Sequence, residues 1–105
     1  MNVCWTEAAL ADLRAVEAYI ARHSEQYAHA MVERILDRTE LLTSQPRLGP
    51  VVPEYEDETL RELFVEPYRI VYRLLEDQVD IVTVVLGRDG CLVSLEPDRI
   101  SPFRP

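Results

Sequence analysis

Apolar residues recur at helical spacing up to Leu42, whereas from Leu60 onward they alternate with polar ones or run together, so the chain divides into a helical part and a strand part. With Leu10 at zero on a wheel turning 100° per residue, Leu13, Ile20, Ala9, Val16 and Tyr19 fall within one half of the circumference. This is an amphipathic helix, and Thr6 stands where its N-cap belongs. Asp12 falls in the same arc, where a carboxylate is either hydrogen-bonded at the edge of the packed face or functional. A second helix is predicted from Ser24, another capping residue. It aligns Tyr27, Met31, Ile35 and Leu42, with Val32 and Leu36 alongside, and ends around Ser44, before Pro46. Joined through His23 and Ser24, the two helices form an antiparallel hairpin whose apolar faces need a common surface to cover.

The downstream sequence supplies that surface. Leu60 to Val65, Tyr68 to Leu75 and Val79 to Leu86 are rich in β-branched and aromatic residues, with Glu66-Pro67 and Glu76-Asp77-Gln78 as turns. Alternation in the middle strand sends Tyr68, Ile70, Tyr72 and Leu74 toward the helices and Arg69, Val71, Arg73 and Leu75 to the opposite face. The last run is apolar except for Asp80 and Thr83, as expected of a strand covered on both faces. Asn2 to Trp5 is predicted as a short first strand. The expected order is β-α-α-β-β-β, an α+β domain with a helical hairpin on one face of a largely antiparallel sheet. Trp5, Tyr68 and Tyr72 are assigned to the core by position and parity.

With 105 residues and 48% apolar content the length prior is one domain, spanning 1–105, with one modest core. The proline spacing of Ile100-Ser101-Pro102-Phe103-Arg104-Pro105 forbids a continuing helix, so an extended tail is expected from about residue 90. The net charge of −8 argues against a protein held mainly by phosphates, and no lysine is present, which removes lysine base and Schiff-base chemistry. All 11 cations are arginines, suited to bidentate pairing with carboxylate or phosphate. The acid is concentrated in residues 45–67, around Glu54-Tyr55-Glu56-Asp57-Glu58 between Pro46, Gly49, Pro50 and Pro53. That stretch reads as a solvated connector, either a bland loop or an acidic patch for an arginine-rich partner.

Cys4 and Cys91 lie far apart, and His23 and His29 sit together in the helical part, so no metal site and no cofactor is expected. The histidines read as helix-surface residues and Cys91 as a small apolar residue near the sheet's end. The N-terminus lacks a basic stretch followed by a long apolar run, and no segment approaches eighteen uninterrupted apolar residues, so a cytoplasmic protein without membrane contact is expected.

Trp5-Thr6 followed by Ala9, Asp12-Leu13, Tyr19-Ile20, Leu42 with Pro46 and Gly49, Arg61-Glu62-Leu63 and above all Pro67-Tyr68-Arg69-Ile70-Val71-Tyr72-Arg73, then Val84-Val85-Leu86-Gly87-Arg88, occur in an order that resembles the RelE/ParE superfamily of toxins from bacterial type II toxin-antitoxin modules. The resemblance spans about residues 3 to 88. It implies a toxin neutralised by a cognate antitoxin whose C-terminal segment wraps it. RelE-like members cleave mRNA in the ribosomal A site, whereas ParE-like members inhibit DNA gyrase without a reaction of their own and serve plasmid stabilisation.

The two mechanisms make different demands. The cleavage requires cations around the phosphate and groups that move a proton during attack by the 2′-OH. Arg61, Arg69, Arg73 and Arg88 would supply such an anion site here, but without any lysine, and the segment after Gly90 lacks the tyrosine that such members often carry. Where many members end the last strand in a His-Gly-Arg-Arg-like run, this chain reads Leu86-Gly87-Arg88-Asp89, without the His and the second Arg. Gyrase inhibition is protein binding and suits an acidic chain. The expectation is therefore a ParE-like inhibitor with no catalytic residue and no direct DNA binding by the toxin alone. The alternatives are a RelE-like nuclease engaging ribosome and mRNA, and a non-toxic remnant of the fold that still binds antitoxin. The four arginines are the candidate partner-binding or anion-binding residues. Arg69 and Arg73 share a strand face, where they either pair with Glu62 or Asp80 on neighbouring strands or hold a partner.

Overall fold

In the computed structural model, which describes residues 1–87, Thr6 and Ser24 open the two helices. Thr6 Oγ1 accepts from the backbone N–H of Ala9 at 3.1 Å and Ser24 Oγ from that of Tyr27 at 3.0 Å, satisfying amides that a first helical turn leaves open. Helix α1 spans Glu7–Ala21 and α2 spans Glu25–Glu40, with a 3-10 turn over Leu41–Thr43 carrying α2 to the predicted stop at Ser44. The Thr6 hydroxyl also donates to the Ile81 carbonyl at 2.8 Å and so ties the start of α1 to the sheet.

Among the described residues, four strands, β1 (Asn2–Trp5), β2 (Leu60–Val65), β3 (Tyr68–Leu74) and β4 (Gln78–Leu86), form one sheet in the order β1-β4-β3-β2. β1 runs parallel to β4, and the other two pairings are antiparallel. The predicted α+β class and element order are therefore observed, as a mixed sheet. Tyr68, Ile70 and Tyr72 of β3 join Leu13, Met31 and Ile35 of the helices in the main core. Trp5 packs against that core half-buried. Val71 points the other way, into a second cluster with Val52, Leu60 and Val82, so β4 is covered on both faces as its apolar run requires.

Asp12 holds the helix hairpin to the sheet. Its Oδ2 accepts from Thr83 Oγ1 at 2.5 Å and from the Val84 amide at 3.1 Å, the hydrogen-bonded reading of a carboxylate on an apolar stripe. It does so beside an irregularity. Val71 pairs with Thr83 but Tyr72 with Ile81, so Val82 is the extra residue of a β-bulge.

Two features differ from the pattern-based expectation. The connector before β2 is not a free solvated loop: Val52 is fully buried, its amide donates to the Leu60 carbonyl, and the Glu62 amide donates to Pro50, both at 3.0 Å. Tyr19 and Tyr27 sit on the apolar stripes of their helices yet are exposed. A wheel fixes direction around the axis but not height along it, and both residues lie within four positions of the His23-Ser24 junction, at the end of the hairpin. Among the described residues no helix is long and apolar enough to cross a membrane.

Candidate interaction site

The strand pleat places Arg69 and Arg73, with Val71 between them, on the sheet face away from the helices, and the connector closes over them. Arg69 is 1% exposed. Its Nε donates to Glu62 Oε1 at 2.5 Å, a diagonal cross-strand contact, since Arg69 lies opposite Phe64 in the ladder. Its Nη1 and Nη2 donate to Glu54 Oε2 and Oε1 at 2.9 and 2.6 Å, a bidentate fork onto the connector. Arg73 Nη1 donates to Asp57 Oδ2 at 3.1 Å and to Thr59 Oγ1 at 2.9 Å. Asp57 Oδ1 in turn accepts from the Thr59 amide and hydroxyl, at 2.9 and 2.6 Å.

Arg61, on β2, points its fork at the same connector. Nε donates to the Glu58 carbonyl and Nη1 to the Gly49 carbonyl, both at 3.0 Å. The structure thus brings three of the four sequence-predicted arginines onto one segment, residues 49–59, and Arg88 lies outside the described residues. Of the pairings foreseen for Arg69 and Arg73, Glu62 with Arg69 is observed. Asp80 lies opposite Arg73 in register and accepts from Gln78 Nε2 at 2.7 Å. Glu54 and Asp57 were visible only as part of an acidic run. The clue that they reach the sheet is their number against the two same-face arginines, with the apolar pair Val51-Val52 between prolines, of which Val52 is buried, to anchor the fold-back.

Three carboxylates face two guanidiniums in this cluster, so it is net acidic. The Arg69 hydrogen bond holds the Glu54 carboxyl below the ordinary carboxylate range against the opposing effect of burial. The hydrogen bonds from Thr59, then Arg73, do the same for Asp57. A carboxyl with a depressed folded-state pKa contributes stability that is fully present above its unfolded value and is lost as pH falls through the folded one. Melting temperature is therefore expected to hold level above about pH 5 and to fall below about pH 4, where these carboxyls protonate. Following melting against pH for the parent chain and for Glu54→Gln checks this: the variant's profile should be the flatter. An equal acid slope in both would assign the loss elsewhere.

On the helix side, the buried Tyr72 hydroxyl accepts from the Gly49 amide at 2.9 Å, and burial pushes this phenol's pKa up. The site as a whole is a closed electrostatic seam, with Arg69 and Arg73 on the chain's own carboxylates and Arg61 on backbone carbonyls.

A family model described as the ParE toxin of the type II toxin-antitoxin system, parDE, matches residues 3–89. The chain belongs to the ParE toxin family. Among relatives of this ParE-family chain, Toxin RelE2 of Caulobacter vibrioides (strain ATCC 19089 / CIP 103742 / CB 15) is 37% identical over 84 residues, covering 79% of this chain and 91% of the relative. A solved structure of the chromosomal ParDE toxin-antitoxin system from P. aeruginosa superposes with a TM-score of 0.70 at 24% identity, over 84% of this chain and 97% of that one, and shows the shared fold. The ParE-family chain is accordingly a RelE/ParE superfamily toxin, and membership implies a cognate antitoxin. The match ends at residue 89, just past β4.

Proposed function

We propose that this toxin acts by binding a protein, DNA gyrase, rather than by cleaving RNA, and that the cognate antitoxin neutralises it by direct binding. The observation that carries the reading is the state of the arginine face. Phosphate-backbone affinity depends on cations free to displace counterions, and a nuclease needs them at the developing charge. Here Arg69 and Arg73 are buried against Glu54, Glu62 and Asp57, in a chain of net charge −8 with no lysine. An RNA would have to displace three carboxylates to reach two guanidiniums. Protein binding makes no such demand, and the ParE family model favours it.

Among the four arginines, Arg61, which is only half-buried, and Arg88 are the ones proposed to reach a partner. Arg69 and Arg73 act through the connector they hold. The reading requires a cytoplasmic protein and no direct contact of the toxin with DNA.

The test is a supercoiling assay with purified gyrase. Saturating toxin is expected to abolish supercoiling, and added antitoxin to restore it. Unchanged supercoiling with no detectable gyrase binding would remove the proposal. Growth arrest on induction accompanied by mRNA cuts at the ribosomal A site would replace it with the nuclease, in keeping with the name of the Caulobacter relative. No growth defect from folded protein would leave an antitoxin-binding remnant.

A further inference from the structure

Arg34 and Arg38 stand one turn apart on α2, both exposed, and at about 40° from each other on the wheel they share one flank of the helix. That flank borders β2. The two arginines line a groove of about 460 Å³ together with Asp37 of the same helix and Phe64, Val65 and Glu66 at the end of the strand. Among the described residues neither guanidinium makes a hydrogen bond or an ion pair, although Asp37 and Glu66 line the same groove. Their state is the reverse of that of Arg69 and Arg73, whose forks are spent on the chain's own carboxylates.

A guanidinium fork matches a carboxylate or a phosphate, and arginine is among the side chains on which interfaces concentrate binding energy. The rest of the groove separates the two anions. Asp37 and Glu66 repel the closely spaced charges of a phosphate backbone, whereas single carboxylates carried between apolar residues can sit at the forks and set their neighbours against Phe64 and Val65. Charge also fixes where such a segment docks. On a chain of net charge −8 an acidic segment is repelled from most of the surface, and Arg34 and Arg38 offer it two unspent cations side by side. β2 is an edge strand and carries Arg61, proposed above to reach a partner, near its other end. Arg61 to Glu66 is about 17 Å of extended chain, the reach of five or six partner residues lying alongside, at roughly 3.3 Å each.

We propose that the groove between α2 and β2 docks an acidic segment of the toxin's protein target, whose carboxylates take the Arg34 and Arg38 forks. The proposal rests on the gyrase-binding reading and adds the surface and the chemistry of the contact.

Calorimetry of the full-length chain with purified gyrase, at low and high salt, tests it. Arg34→Gln combined with Arg38→Gln changes side chains that have no partner among the described residues, so this variant should melt close to the parent. Its affinity for gyrase is expected to fall at least about tenfold with a shallower salt dependence, and its inhibition of supercoiling to fall in step, while antitoxin affinity stays at the parent's. A second variant tests the sign. Asp37→Asn combined with Glu66→Gln removes the groove's own acids and is expected to tighten gyrase binding several-fold. Parent-like gyrase affinity in the arginine variant would overturn the groove. So would weaker gyrase binding on removal of the two acids, which would assign a basic occupant, or an arginine variant that loses only antitoxin binding, which would assign the surface to the antitoxin. A parent chain that binds no gyrase at all is a separate result and would overturn the gyrase reading as well.

Discussion

Arg69→Met is expected to destabilise the fold by about 3–5 kcal/mol, the usual consequence of removing one member of a buried ion pair. The side chain is 1% exposed and lies between Glu62, itself buried, and Glu54. Methionine fills much of the volume but leaves the Glu62 carboxylate out of water without its cation. It also releases Glu54, and with it the fork that holds the connector, through Val52, against Val71 and Val82. At roughly 4–8 °C per kcal/mol for a domain of this size, the melting temperature should fall by more than about 12 °C. Charge and packing separate in a second variant. Arg69→Met combined with Glu62→Leu removes the orphaned carboxylate as well, and should recover a large part of the loss, because a buried ion pair is often matched by apolar residues of similar volume. A single variant melting within a few degrees of the parent would show that the pair is not what fixes this face. A double variant as unstable as the single would assign the cost to packing. Arg69→Lys should fall between, since an ammonium keeps the charge but cannot reproduce a fork onto two carboxylates.

This sensitivity bears on how the toxin is read. A cation whose removal unfolds the protein is a poor guide to a binding site, even on the motif that most resembles the family. Loss of toxicity in an Arg69 variant would carry information only alongside a melting curve. The same control applies to Arg61, whose fork holds the Glu58 and Gly49 carbonyls of the connector.

The elements were legible because local rules agree with the global fold here. Thr6 and Ser24 cap the helices, the stripes through Leu13 and Ile35 face the sheet, and period-two alternation puts Ile70 inward and Val71 outward. Asp12 announced itself as an oddity on the wheel, and its two hydrogen bonds to the bulged strand explain it. What escaped was tertiary. Nothing in the spacing of Glu54 or Asp57 says that an acidic run folds back over a sheet, because a charge pattern records composition and not which cation lies within reach. The exposure of Tyr19 and Tyr27 escaped for a different reason: a wheel does not register that both lie at the His23-Ser24 end of the hairpin. The connector concealed the four-residue cluster around Val52 because prolines and carboxylates on both sides of it carry the signature of a loop.

Gly49→Ala should expose how tightly that connector is fitted. A Cβ built at Gly49 would lie 2.0 Å from the Glu62 carbonyl oxygen and 3.1 Å from the Tyr72 hydroxyl, so a methyl group there cannot coexist with the observed backbone. The oxygen belongs to the middle of a paired strand and cannot swing aside as a side chain would. The connector itself must lift. Lifting it breaks the Gly49 amide bond to Tyr72, strains the neighbouring Glu62 amide bond to Pro50, and draws the Gly49 carbonyl away from Arg61. The Tyr72 hydroxyl, buried in the core, would then lose a donor. A loss of about 2–4 kcal/mol is expected from overpacking together with the broken hydrogen bonds. Urea unfolding measures it as a lower midpoint at little changed slope, since the surface exposed on unfolding is nearly the same. Amide exchange gives the local signature: Gly49, Val52 and Glu62 should lose protection, while the amides of α1 and α2 fall only to the reduced global limit. A variant with parent-like midpoint and parent-like exchange at Val52 would mean that the connector accommodates the methyl without leaving the sheet. In that case the close approach of Gly49 to β2 is not what holds the acidic run over Arg69 and Arg73.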